Sequence, residues 1–112
     1  MEIKKELQKA TILHQQGNLD EAQKIYNEIL NTEPNFPEAH HNLGILLKSL
    51  DKLNEAEKSF AKAISLKPDF IISHYQMGNT KYKLQKFEES EYHYKKAISI
   101  RSNFFEAYIN LG

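Results

Sequence analysis

The chain has 112 residues, no cysteine, and 15 lysines and arginines balanced by 15 aspartates and glutamates. Zero net charge argues against a nucleic-acid partner, which selects for a basic excess, and the lack of cysteine excludes disulfides and thiolate metal sites. No apolar run reaches membrane-spanning length and the N-terminal residues lack a signal-peptide core. We therefore expect one cytoplasmic domain with no membrane partner.

Breaks in a helical pattern of apolar residues divide the chain into seven predicted helices. Gly17 ends the first, because glycine accepts a left-handed backbone without steric cost. Pro34 and Pro68 stop later helices, since proline lacks an amide proton and its ring clashes with the preceding turn. The predicted helices cover residues 3–16, 19–31, 37–50, 53–66, 71–84, 87–100 and 105 onward.

The pattern repeats every 34 residues, as the intervals 78 − 44 and 112 − 78 between Gly44, Gly78 and Gly112 illustrate. A fixed period of this size is typical of a solenoid, in which each unit buries its apolar face only against the next. We predict an all-α, right-handed α-solenoid of antiparallel helix pairs. It forms a single domain over 1–112, with repeats at 3–36, 37–70 and 71–104 and a partial fourth repeat at 105–112.

The recurring residues resemble the tetratricopeptide repeat (TPR), whose pattern includes leucine-glycine, alanine, an aromatic residue and a closing proline. The matching residues are Ala10, Ala22, Tyr26 and Pro34 in the first unit, Leu43, Gly44, Leu47, Ala56, Phe60, Ala63 and Pro68 in the second, and Met77, Gly78, Tyr94 and Ala97 in the third. Small residues on facing helices permit close approach, and the large aromatic residues fill the space beside that contact.

The chain departs from the family pattern in three ways. Charged or smaller aromatic residues replace the usual tryptophan, at Glu6, His40, His74 and Tyr108. Lys81 stands where an apolar residue is expected, and Ser102 replaces the third proline. We expect His40 and His74 to pack between helices. We also expect the segment 105–112 to fray or to pack on a neighbouring chain, because the third unit has no capping helix.

The resemblance implies a concave face, lined by the first helix of each repeat, that grips a peptide or a partner segment. The implied peptide-binding residues are Leu7, Gln8, Thr11, His14, His41, Asn42, Ile45, Ile72, Tyr75, Gln76, Asn79, Tyr82 and Asn110. The same faces also carry Lys48, Ser49 and Lys83. Aromatic and aliphatic members would supply affinity and the amides would set the register.

One column of this face consists of primary amides, namely Gln8, Asn42, Gln76 and Asn110. An amide both donates and accepts hydrogen bonds, so it can pair with a peptide backbone whatever the side chains are. The column is similar to the asparagine ladder of the O-linked N-acetylglucosamine transferase superhelix. The alternative is that the amides serve solubility or packing.

Other functional sites find little support. The two-carboxylate clamp of chaperone-binding relatives requires basic residues where this chain has Leu7, Ile72 and Gln76, and only Asn42 matches it. No nucleophile–base pair, phosphate loop or clustered metal ligands occur. We predict a non-enzymatic module that binds a protein or peptide, without cofactor or metal. The alternatives are a targeting arm of a larger enzyme, such as a glycosyltransferase, or a scaffold that forms homo-oligomers through its uncapped C-terminal end.

Overall fold

The computed structural model describes the backbone of residues 2–109 and the side chains of residues 2–102. The described residues contain helices and no strands. The helices are α1 (Ile3–Gln15), α2 (Leu19–Thr32), α3 (Pro37–Ser49), α4 (Leu53–Leu66), α5 (Ile71–Lys83) and α6 (Phe87–Ile109). They form an all-α solenoid of helix pairs, as predicted, and the boundaries of α1 to α5 lie within one residue of the predicted ones.

Each helix pair is joined by the same turn, repeated at the 34-residue period. Gly17, Asp51 and Gln85 all have a positive φ, of 85°, 60° and 63° respectively. In each turn the amide of the next residue bonds to the carbonyl five residues earlier, as Asn18 does to Leu13 at 2.8 Å. Glycine adopts this backbone freely, whereas aspartate and glutamine do so at a cost of about 1 kcal/mol.

The predicted break between residues 100 and 105 is wrong, because α6 continues without interruption through Ile109. Helices α2 and α4 end two residues before Pro34 and Pro68. The third repeat has Ser102 at the corresponding position. Serine keeps the backbone amide proton and has no ring to clash with the preceding turn, so nothing there forces the helix to stop.

The helices pack in sequence order, α1 on α2, α3 on α4 and α5 on α6, and the pairs join through α2 with α3 and α4 with α5. The helices α1, α3 and α5 also touch in succession, so they form one continuous side of the solenoid. This arrangement places the first helix of every repeat on a common surface, which is where the sequence predicts the binding face.

Small residues face large rings inside the second and third pairs, as predicted. A Cβ atom built on Gly44 would lie 2.7 Å from the ring of Phe60, and one built on Gly78 would lie 2.6 Å from the ring of Tyr94. Phe60 is fully buried. In the third pair, the Ser90 hydroxyl donates to the carbonyl of Gly78 at 2.8 Å. The two glycines therefore set the distance between paired helices.

Lys81 occupies a core position, and its ammonium is paired with two carboxylates. Its ammonium lies 2.7 Å from Glu57 Oε2 on α4 and 2.6 Å from Glu89 Oε1 on α6. Burial acts to lower the pKa of Lys81, but the hydrogen bonds that its ammonium donates to the carboxylates of Glu57 and Glu89 outweigh burial and raise the pKa. Glu57 also accepts from Lys86 at 3.2 Å. This cluster ties the second repeat to the third.

No helix within residues 2–109 combines the length and the apolar character that crossing a membrane requires.

Candidate functional site

Two adjoining cavities follow the surface of α1, α3 and α5, and we call them together the trough. The first, of about 380 Å³, is lined by Thr11, His14, Gln15, Tyr26, Asn42 and Ile45. The second, of about 290 Å³, is lined by Ile45, Lys48, Ser49, Gln76 and Lys83. Ile45 lines both cavities, and together the two are lined by residues of all three repeats. Both cavities are open to solvent, which suits an extended chain better than a compact small molecule.

Polar bridges between successive repeats form the floor of the trough. His14 Nε2 and Ser49 Oγ share a hydrogen bond of 3.3 Å between α1 and α3. The Lys48 ammonium donates to Gln76 Oε1 at 2.8 Å between α3 and α5. These side chains are held in place before any ligand arrives, which reduces the entropy lost on binding.

The amides of Asn42 and Gln76 lie in the trough, one repeat apart. Asn42 is half-buried in the first cavity, and its side chain makes no hydrogen bond to any described residue. Gln76 accepts from Lys48, and its NH₂ group remains available. Each amide faces the last turn of the preceding repeat's first helix, so each can offer a donor to a backbone lying between the repeats.

Gln8, the first member of the predicted amide column, does not line the trough. That side chain lies in a separate hollow of about 390 Å³ with Lys5, Lys9, Ile12 and Leu13. The amide positions of the second and third repeats form their cavities with the preceding first helix. The hollow that holds Gln8 is lined by residues of α1 alone. Asn110 lies outside the described residues.

Ile72 and Tyr75, which the sequence assigns to the same face as Asn42, do not line either cavity of the trough. They line a cavity of about 490 Å³ at the end of the solenoid, with Ile71, Tyr94, Ala97, Ile98 and Arg101. More than half of the Ile72 and Tyr75 side-chain surface is exposed, at 54% and 53%. We call this surface the end face.

His41 is buried and cannot contact a ligand, so its predicted place on the binding face is wrong. Its ring lies 5.5 Å from Phe60 and 5.1 Å from Phe70, measured between centroids, and its Nδ1 shares a 2.6 Å hydrogen bond with Ser73. The next first helix, α5, covers this position. Tyr75 stands one repeat later and stays exposed because no described helix covers it.

Burial of His41 predicts a pH-dependent stability. Burial lowers its pKa from 6.5 to about 4, against the opposing charge of Glu38. Because the pKa of His41 is lower in the folded state than in the unfolded state, the stability that goes with its neutral ring is fully present above pH 6.5. That stability is lost as the pH falls towards 4. We expect the free energy of unfolding to fall by about 1–2 kcal/mol between pH 7.5 and pH 5 on this account.

Denaturant unfolding of His41→Gln at both pH values checks this expectation. Glutamine does not titrate, so the variant should lose that part of the pH dependence, while His40→Gln, the matched control one residue earlier, should retain it. Equal pH dependence in wild type and His41→Gln would contradict the assignment.

The remaining predicted residues have structural partners. Leu7 is half-buried and packs against the core of the first repeats. Thr11 Oγ1 donates to the Leu7 carbonyl at 3.0 Å, and its oxygen also lies 3.3 Å from the Tyr26 hydroxyl. Asn79 accepts a hydrogen bond from the Tyr94 hydroxyl. Tyr82 is exposed and its ring packs edge-on against Phe87 at 5.2 Å.

Five residues that line the trough were not among the implied peptide-binding residues, although the sequence already placed three of them, Lys48, Ser49 and Lys83, on the same faces. Gln15 and Tyr26 line the first cavity, and Lys48, Ser49 and Lys83 line the second. A signal for three of them exists, because Gln15, Ser49 and Lys83 occupy one column at the 34-residue period. The contribution of Tyr26, from a second helix, has no such signal.

Two histidines form hydrogen bonds with the loops that join successive repeats. His40 Nε2 and His74 Nε2 each lie near the carbonyl of a loop proline, Pro34 at 2.7 Å and Pro68 at 2.9 Å. A carbonyl only accepts, so each Nε2 carries the proton. The Nδ1 atoms of His74 and His93 share a hydrogen bond of 3.2 Å. The described residues contain no group of three potential His, Cys, Asp or Glu ligands.

Sequence comparison matches this chain to two family models. The model described as "Tetratricopeptide repeat" matches residues 13–77, and the model described as "TPR repeat" matches residues 78–112. A comparison with curated proteins finds no match.

Solved structures share the fold. The first TPR of Spaghetti (RPAP3), bound to the HSP90 peptide SRMEEVD, is 26% identical with a TM-score of 0.86, over 97% of this chain and 86% of that one. A double mutant of MamA RS-1 is 17% identical with a TM-score of 0.85, over 91% of this chain. MamA 41-end from Desulfovibrio magneticus RS-1 is 17% identical with a TM-score of 0.84, also over 91% of this chain. This chain spans 57% and 58% of the two MamA chains.

Proposed function

The chain belongs to the tetratricopeptide repeat family, and from that premise we propose that it binds an extended segment of a partner protein in the trough. The role is binding without catalysis. The segment lies across α1, α3 and α5, with its backbone against the amides of Asn42 and Gln76 and an apolar side chain against Ile45.

The observation that carries the proposal is the state of Asn42. A half-buried amide without a hydrogen-bond partner among the described residues relies on water for its bonds. A peptide backbone can replace that water and return both a donor and an acceptor. The aliphatic wall of Ile45 beside it gains contact with an apolar side chain at the same time.

A related structure supports the proposal. The RPAP3 repeat, which is 26% identical to this chain, is bound to a seven-residue peptide. That peptide belongs to HSP90, and its identity does not carry over to this chain, where Leu7 and Ile72 are neutral at places that a two-carboxylate clamp fills with cations.

Peptide selection from a random display library tests the proposal. We expect wild type to enrich peptides and Asn42→Ala to bind them about five- to tenfold more weakly, as loss of one hydrogen bond implies. Asn27→Ala, which changes an exposed amide on α2, is the matched control and should bind as wild type does. Failure of wild type to enrich any peptide, or equal binding by Asn42→Ala, would contradict the proposal.

Tyr75→Ala decides whether the bound segment continues onto the end face. Weaker binding with unchanged thermal stability means that Tyr75 anchors the segment. If Tyr75→Ala lost binding while Asn42→Ala bound the peptide as wild type does, the binding site would be the end face and not the trough.

A second candidate function is self-association through the end face. Ile72, Tyr75 and Ile98 expose 54%, 53% and 64% of their surface around one apolar cavity. In the preceding repeat the position equivalent to Tyr75 is buried by α5. Another copy of the chain could cover the end face in the same way. Light scattering across protein concentration tests this, because a concentration-independent monomer mass would exclude it. No observation favours the targeting-arm alternative, which stays a prediction.

A further inference from the structure

The second cavity of the trough holds two lysines and no acidic residue. Lys48 on α3 and Lys83 on α5 both line it, together with Ile45, Ser49 and Gln76. Two cations that line a cavity of about 290 Å³ without a counter-charge create a local positive potential. That potential has no partner in the described part of the chain.

Lys48 is positioned by the protein. It is half-buried, and its ammonium donates one hydrogen bond to Gln76 Oε1 at 2.8 Å across the gap between repeats. An ammonium has three donors, so two remain for a ligand or water. Lys83 is exposed and makes no hydrogen bond or ion pair with any described residue.

The two lysines also repel each other. Burial lowers the pKa of Lys48, and the charge of Lys83 lowers it further. A different arrangement surrounds Lys81, whose ammonium has two carboxylates within 2.7 Å. The chain therefore neutralises a lysine in its core but leaves the lysine pair of the trough uncompensated.

We propose that the second cavity is an anion subsite that takes one carboxylate, from an aspartate or glutamate of the bound peptide, between Lys48 and Lys83. The proposal rests on the proposed function of the trough. It deepens that function by setting the charge of the ligand, since an acidic side chain then lies one repeat beyond the stretch of backbone held by Asn42.

This subsite differs from the two-carboxylate clamp that the sequence analysis rejects. The clamp's basic places correspond here to Leu7, Ile72 and Gln76, whereas Lys48 and Lys83 lie in the last turns of their helices. A peptide recognised here needs one acidic side chain within its sequence, and it does not need a free C-terminus.

Binding measurements on a matched pair of peptides test the subsite. A peptide enriched by wild type from the random library is synthesised together with an analogue in which its acidic residue is replaced by the corresponding amide. Fluorescence anisotropy then gives the dissociation constants for wild type, Lys83→Gln, Lys48→Gln and Lys62→Gln. Lys62 is an exposed lysine of α4 outside the trough, so its variant controls for net charge.

We expect Lys83→Gln and Lys48→Gln to weaken binding of the acidic peptide about three- to tenfold and to leave binding of the amide analogue unchanged. Lys62→Gln should change neither. The side-chain NMR signal of Lys48 should also report a higher pKa in the complex with the acidic peptide, because a bound carboxylate favours the charged ammonium.

Two results would overturn the subsite and leave the proposed function intact. One is a set of enriched peptides with no preference for an acidic residue. The other is an equal effect of Lys83→Gln on the acidic peptide and its amide analogue. A complete lack of enrichment by wild type would overturn the proposed function and the subsite together.

Discussion

Phe60→Ala is expected to lower the free energy of unfolding by about 3–5 kcal/mol, the largest effect of any single substitution considered. Phe60 is fully buried, its ring fills the space beside Gly44, and it also contacts the ring of His41. Truncation removes that apolar surface from the core and leaves a cavity between the second helix pair and the third. Denaturant unfolding of both proteins measures the loss.

Gly44→Ala extends this test, because its effect depends on Phe60. An added Cβ would lie 2.7–2.9 Å from three atoms of the Phe60 ring, and a fully buried ring has no room to retreat. We expect a loss of about 1–3 kcal/mol from this overpacking, which exceeds the gain of about 1 kcal/mol that alanine brings to a helix.

In the Phe60→Ala background the steric conflict is absent, so Gly44→Ala should become neutral or stabilise the protein. The single and double variants form a cycle with a coupling of about 1–3 kcal/mol. Additive effects, within about 0.5 kcal/mol, would contradict the claim that Gly44 sets the distance between α3 and α4.

Lys81→Met is expected to destabilise the protein by about 2–3 kcal/mol. The substitution keeps the length of the side chain and removes the ammonium that lies 2.7 Å from Glu57. Glu57 is largely buried and would keep only the more distant Lys86. Removing one partner of a fully buried ion pair costs about 3–5 kcal/mol. The cost is smaller here because Glu89 and Lys86 of the cluster are exposed to solvent.

The chain supplies a matched control for this prediction. At the interface of the first and second repeats, Leu47 and Gln23 occupy the places of Lys81 and Glu57. The double variant Lys81→Leu/Glu57→Gln should therefore unfold within about 1 kcal/mol of wild type, since replacing a buried ion pair with well-packed residues is often neutral. A loss below about 0.5 kcal/mol for Lys81→Met would show that the cluster adds nothing.

The same cluster carries a pH dependence. Burial acts to raise the pKa of Glu57, but hydrogen bonds from Lys81 and Lys86 outweigh it and lower the pKa below 4.5. A carboxyl group whose pKa is lower in the folded state than in the unfolded state stabilises the fold at pH values above its unfolded pKa. That contribution is lost as the pH falls through the folded pKa. Lys81→Met should therefore show a shallower loss of stability below pH 4.5.

Local signals in the sequence predict the fold well, because the repeat determines it one unit at a time. The turns at Gly17, Asp51 and Gln85 recur at the period, and the pairing of Gly44 with Phe60 follows from size alone. The extension of α6 is the exception. The absence of a proline at Ser102 could have predicted it, whereas the repeat pattern alone predicted a break.

The candidate site is harder to predict, because each cavity is built from two repeats at once. The helical position of His41 indicates a surface residue, but α5 of the next repeat buries it. Gln8 has the sequence position of an amide in the ladder, yet the hollow that holds it is lined by α1 alone. Position within one repeat therefore predicts exposure only where the neighbouring repeats are also taken into account.

Amide chemical shifts on addition of a selected peptide test the central claim most directly. If the trough binds the peptide, the shifts will concentrate on Thr11, His14, Asn42, Ile45 and Gln76, and will follow one saturating curve. Shifts confined to Ile71, Ile98 and Arg101 of the end face, or spread over the second helices, would contradict the proposed function of the trough.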